Sequence, residues 1–188
     1  MVRTLIAGVA GGIAMFVWTS IAHVMTPLGH TGITPIPNEE PVLAAMQASM
    51  GDKPGLYFFP WVDPSDPNVE QTYTAKAKTN PSGFIIYHPA GTVDGMMPTQ
   101  LIGEFAKELV QTLIAAFLLS LTVLASYLSR VGFVTAIGVS AGIATNVSNL
   151  IWYRYPLDYT LAFVTIEVVG ALVAGLAIAA IVRTRATV

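Results

Sequence analysis

Seven residues of this chain carry side chains able to do chemistry in an otherwise apolar setting. They are His23, Glu104, Glu108, Gln111, Asn146, Asn149 and Glu167. Carboxylates, an imidazole and amides can pass protons, hold a cation or bind a polar ligand. An acid inside a membrane helix costs a few kcal/mol on insertion scales, which makes a functional role its default reading. Glu167 is the sharpest case, because its neighbours in sequence are apolar. Buried without a cation, it is expected to be a neutral acid donating a hydrogen bond to Asn146. Glu104 and Glu108 flank Lys107, as at a helix start still in contact with water. His23 is the one histidine in an apolar segment and the one that could reach Glu167. The ordinary alternative is strong for the amides, since Asn, Gln, Ser and Thr commonly join membrane helices.

The composition sets the surroundings of these groups. Of 188 residues, 54% are hydrophobic and 11% charged, against about 25% charged in a soluble domain. The chain therefore reads as a membrane protein. It has no cysteine, which excludes disulfides, thiolate metal sites and thiol catalysis. A net charge of −2 offers no basic footprint for nucleic acid.

Four segments approach the roughly 20 apolar residues that cross a bilayer. They run over about 4–26, 104–129, 131–153 and 160–182. Arg3 before the first run imitates a signal peptide, but the run is long and no A-x-A site follows, so a retained helix is expected. Arg3, Arg130, Arg183 and Arg185 lie on one side of these segments without acids. The positive-inside rule puts that side, with both termini, in the cytoplasm. The loop 27–103 then lies outside. Trp152, Tyr153, Tyr155 and Tyr159 fit an aromatic belt at the outer interface, joined by Trp61 if the loop lies back on the membrane.

Within the loop, 38–50 reads as a helix capped by Asn38 with acids in its first turn, and 65–78 as a second, capped by Ser65 or Asp66. GLYFFPW (55–61) and GFIIYHP (83–89) read as short strands that stop at proline. They suggest a β-α-β unit, although two strands alone are marginal. The succession PNEEP, GLYFFP and PSGFIIYHP between the first two apolar segments resembles a group of uncharacterised small bacterial four-helix inner-membrane proteins with an external loop domain. The resemblance implies a shared fold over most of the chain and carries no activity or catalytic residue with it.

Helical wheels at about 100° per residue assign the faces. Inward stripes are expected from Gly8, Gly12, Phe16, Thr19 and His23; from Glu104, Glu108, Gln111, Thr112, Ala115, Leu119, Thr122 and Ser126; from Thr135, Gly138, Gly142, Thr145, Asn146, Asn149 and Tyr153; and from Thr160, Val164, Glu167, Ala171 and Ala174. Small residues let helices approach, and polar groups in hydrocarbon need partners. The expected architecture is an all-α transmembrane four-helix bundle with a small α/β extracytoplasmic insertion between helices one and two. Its polar groups gather in the outer half.

Other chemistries fare worse. His23 with Glu108 and Glu167 could hold a metal, but no E-x-x-H or H-x-x-x-H spacing sets two ligands on one face. Copper would use Met96 and Met97 with His88 or His30; two loop methionines are more often ordinary apolar contacts. There is no phosphate-binding glycine loop, no dinucleotide fingerprint and no nucleophile elbow. One helix histidine cannot supply both axial ligands of a heme. No cofactor is expected.

Three functions compete. The first is a non-enzymatic accessory, scaffold or binding subunit that presents its external loop. Its partners would be the lipid bilayer and a larger membrane complex or further copies of itself. The second is a small transport or proton-handling protein using the outer polar groups. The third is a membrane enzyme acting on a lipid or quinone, which a lone histidine supports least.

Overall fold

The computed structural model describes residues 1–92 and 97–182. The chain divides into two compact units, Met1–Ile33 with Met97–Val188, and Thr34–Met96. The first is helical. The second is a small α/β unit inserted into it.

The helical unit holds α1 (Val2–Met25), α4 (Met97–Ser120), α5 (Tyr127–Tyr153) and α6 (Leu157–Ile181). Three of them, α1, α5 and α6, are long and apolar enough to cross a membrane. The fourth, α4, is as long as α1 but carries Glu104, Lys107 and Glu108 in one half. α1 packs on α4 and α6, and α6 packs on α5, while α4 and α5 touch slightly. Neighbours run antiparallel. Gly8 and Gly12 of α1 face Leu113 and Leu109 of α4, and Phe16 meets Phe105 edge-on at 5.3 Å. Gly11 faces Ile178 of α6, whereas Met15 and Trp18 lie by Gly170. The C-terminal ends of α1 and α5 therefore share one end of the unit with the N-terminal ends of α4 and α6.

The small residues explain the close approach. A Cβ placed on Gly8 would lie 2.8 Å from the Leu113 Cα. One on Gly138 would lie 2.1 Å from the Ala171 Cβ. Both G-x-x-x-G pairs are thus helix seams: Gly8/Gly12 with α4, and Gly138/Gly142 with α6. The apolar core is at the other end, where Ala7 and Met15 meet Ala115, Ala116 and Leu119 of α4, Val134 of α5 and Ala174 and Ile178 of α6. At that end Arg130 donates from Nη1 to the Val182 carbonyl (2.8 Å) and Tyr127 to the Leu176 carbonyl (3.0 Å).

Several expected boundaries move. The helix expected to run to 129 stops at Ser120, and α5 begins at Tyr127. Ser126 accepts from the Ser129 amide (3.0 Å) as the N-cap of α5. It is not an inward residue of the preceding helix. Thr122 also lies between helices and bonds the Leu119 carbonyl (2.8 Å). Arg130 sits in the first turn of α5 and not in a connecting turn. No glycine or proline punctuates SLTVLAS, so helical periodicity runs through it unbroken, and the serine cap alone marks the break. α4 starts at Met97 instead of 104, with Pro98 in its first turn. The Arg183 and Arg185 expectations, and the Met96 and Met97 side chains, fall outside the described residues.

The inserted unit has α2 (Glu39–Met50), β1 (Gly55–Phe59), α3 (Val69–Thr79) and β2 (Gly83–Tyr87). The strands pair antiparallel, with Leu56 opposite Ile86 and Phe58 opposite Phe84. Phe58 stacks on Tyr73 of α3 (5.7 Å between ring centroids) and leans on Phe84 (4.9 Å). The Tyr87 hydroxyl donates to the Gly51 carbonyl (2.9 Å), closing the turn after α2. Asn38 is the N-cap residue of α2 as expected, with a left-handed backbone but without a side-chain bond, and the cap of α3 is Asn68 in place of Ser65 or Asp66. α3 begins at Val69, after Asp66 has accepted from the Asn68 amide (2.8 Å) and the Thr72 hydroxyl (2.9 Å).

Candidate functional site

The polar groups of the helical unit collect where α1 ends and α4 and α6 begin. Glu108 is fully buried in the α1–α4 seam. Its Oε1 lies 2.8 Å from the Thr19 hydroxyl, and Oε2 is buried without a hydrogen-bond partner. One turn on, Thr112 is buried and donates across the seam to the Gly8 carbonyl (2.9 Å), within reach also of the Glu108 carbonyl (2.8 Å) of its own helix. The seam is therefore joined at two points, by the Thr112 hydroxyl set against the Gly8 backbone and by the Thr19 hydroxyl set against the Glu108 side chain.

Glu167 is half-buried on α6 and accepts at Oε1 from Gln111 Nε2 of α4. The expected bond from Glu167 to Asn146 does not form. Asn146 Nδ2 donates to the Gly142 carbonyl (3.0 Å) and the Thr145 hydroxyl (2.9 Å), and Asn149 Nδ2 to the Thr145 carbonyl (3.1 Å). The reason is local. Asparagine is short, and a carbonyl four residues back on its own helix is nearer than a group on a neighbour. Glutamine is one methylene longer and spans the gap from α4.

Glu104 pairs with Lys107 (2.8 Å) at the partly exposed start of α4. His23 donates from Nδ1 to the Thr19 carbonyl (2.9 Å), and its ring meets Phe163 edge-on at 5.9 Å. Phe163 stacks on Tyr159 (4.4 Å), which meets Tyr155 (5.6 Å), so an aromatic row leads from α1 along α6. The turn after α1 folds onto it. Gly32, at φ +77°, lies where a Cβ would be 2.5 Å from Tyr159 Cβ, so both backbone and space demand glycine there.

The structure thus brings Glu108 next to Thr19, and Gln111 to Glu167, and separates both asparagines from the acids. His23, Glu108 and Glu167 go to different partners, and among the described residues no group of three His, Asp or Glu side chains could hold a metal. His30 and His88 are exposed. No family model matches the chain, and neither a curated protein nor a solved structure does. The site stands on its geometry alone.

Sequence reasoning placed Thr19 and Thr112 on inward faces without making them partners of anything. It missed Trp18, whose Nε1 donates to the Ile166 carbonyl (2.9 Å) across the α1–α6 seam. The Thr19 signal was its place on the Gly8–Gly12 stripe. Trp18 had none, since tryptophan near a membrane surface is usually read as an interfacial anchor.

Proposed function

We propose that the chain is a four-span integral membrane protein of a bacterial inner membrane and a non-enzymatic accessory, scaffold or binding subunit. Its 34–96 unit lies outside and both termini lie in the cytoplasm. The observation that carries the reading is where the inward polar groups go. Thr112, Gln111 and Trp18 are each engaged in a bond between helices, and the two asparagines bond their own helix. The three interhelical bonds hold helices together, and the asparagines are left with no group on a neighbouring helix.

α4 serves as the fourth span in this reading. It runs beside α1 through the Gly8 and Gly12 contacts, and Val110, Ile114, Phe117 and Leu118 form an exposed apolar flank. Arg3 and Arg130 lie toward one end of the unit, and Glu104, Lys107, Arg154 and Asp158 toward the other. That division favours the Arg3 end as cytoplasmic.

The chain lacks cysteine, so single cysteines report topology cleanly. Thr79→Cys should react in intact cells with a membrane-impermeant maleimide, and Ser129→Cys only after permeabilisation. The reverse pattern inverts the orientation. For the function, the chain purified in mild detergent should carry a defined partner in fixed stoichiometry, and Glu167→Leu, which removes the acceptor of the Gln111 bond, should lower thermal stability without changing any flux in proteoliposomes. A lone monomer that moves protons, with flux lost in Glu167→Gln, would replace this reading with the second one. That reading, proton handling, has one observation in its favour: the unpartnered buried oxygen of Glu108.

A further inference from the structure

Glu108 is fully enclosed by protein, yet one of its two oxygens touches no donor. The hydrogen count around it is decisive. Thr19 Oγ1 lies within bonding distance of three oxygens: Glu108 Oε1 (2.8 Å), the Phe16 carbonyl (3.1 Å) and the Met15 carbonyl (3.2 Å). A threonine hydroxyl has one hydrogen and two lone pairs. If Glu108 were an anion, that single hydrogen would be its whole compensation. A buried charge so poorly met is far more costly than a neutral carbonyl oxygen left without a donor.

The surrounding groups do not supply the missing charge. On α4, Lys107 is paired with Glu104 at 2.8 Å, and among the described residues no cation lies within 4 Å of Glu108. Glu167 of α6 is a further acid, and it takes its hydrogen bond from Gln111. On α1, His23 spends its Nδ1 on the Thr19 carbonyl.

We propose that Glu108 and Thr19 form a binding site for one proton in the α1–α4 seam. Glu108 carries the proton on Oε1 and donates it to Thr19 Oγ1. Thr19 turns its own hydrogen to the Phe16 or Met15 carbonyl. Oε2 is then the carbonyl oxygen of a neutral acid. Every hydrogen has an acceptor, and no charge is enclosed. Release of the proton would leave an anion that the closed seam cannot satisfy, so loss of the proton is coupled to parting of α1 from α4. This goes beyond the scaffold reading and does not rest on it, because the enclosure is by protein.

Infrared spectroscopy of the full chain in lipid vesicles at neutral pH tests it. The expected result is one carboxylic-acid C=O band, slow to shift in heavy water, lost in Glu108→Gln and moved to higher frequency in Thr19→Val. The Thr19 variant keeps the test decisive if Glu108→Gln does not assemble. Absence of an acid band overturns the proposal. So does a band that survives Glu108→Gln and vanishes in Glu167→Gln, which would put the proton on α6. Loss of the band on replacing potassium by sodium in the buffer overturns it in favour of a metal cation.

Discussion

Gln111 of α4 and Glu167 of α6 are joined side chain to side chain, although the backbones of their helices are not close neighbours. The bond crosses from one flank of α1 to the other and ties the three helices at their polar end. Interhelical hydrogen bonds of this kind contribute about 0.6–2 kcal/mol each. In a double-mutant cycle, Gln111→Leu and Glu167→Leu should each destabilise by about that amount, and the pair by less than the sum. Denaturant titration in micelles measures it. Strictly additive losses would mean that the two side chains do not interact.

Gly138 and Gly132 lie on different faces of α5 and should answer oppositely to the same substitution. A Cβ on Gly138 meets the Ala171 Cβ at 2.1 Å, whereas one on Gly132 meets nothing within 4 Å. Gly138→Ala should cost about 1–3 kcal/mol by overpacking, with recovery in Gly138→Ala/Ala171→Gly. Gly132→Ala should be neutral or gain up to about 1 kcal/mol of helix propensity. Thermal melts of the three variants in one detergent decide the matter, and equal losses at both glycines would contradict the α5–α6 seam.

The asparagines should be nearly dispensable for stability. Asn146 and Asn149 donate to carbonyls of their own helix, and such back-bonding does not stabilise a helix. Asn146→Ala and Asn149→Ala should each change stability by no more than about 0.5 kcal/mol. A loss comparable with that of Glu167→Leu would show that they bond across helices.

Among the described residues of the inserted unit, Asp63 makes a pH-dependent contact. Asp63 accepts at Oδ1 from the Ser65 hydroxyl (2.7 Å) and the Ser65 amide (2.8 Å). The hydroxyl bond first, and then the amide bond, hold its carboxyl below the usual carboxylate range. A depressed acid stabilises the fold above its unfolded pKa, about 3.9, and that contribution is lost as pH falls through the lower folded value. The Ser65 amide signal in NMR should therefore titrate below that pH. Asp63→Asn should abolish the titration. A midpoint above the ordinary range would reverse the sign.

Much of the helical unit was legible because its signals are one-dimensional. Long apolar runs with arginines at their ends, and glycines spaced four apart, follow from the period of a helix and the thickness of a bilayer. The small residues Gly8, Gly12, Gly138 and Gly142 were read as seams, and they are seams. The two strands were legible from Gly-to-Pro bounded apolar runs, while their antiparallel pairing was not. Either pairing would bury the same aromatic residues.

What the residues by themselves determined is most of the inward faces and the end at which the polar groups collect. Thr145 and Tyr153, expected inward on α5, are exposed because the stripe turns away from α6 there. Which groups touch was decided by the tertiary structure. A wheel gives an angle and a depth but neither a neighbour nor a reach. Asn146 and Gln111 are both inward amides near the level of Glu167. Only the packing of α4 and α6 on either side of α1, together with one methylene of reach, gives that acid to Gln111. The same packing brings Thr19 against Glu108, where a sequence shows two residues 89 positions apart and the structure shows one shared hydrogen bond.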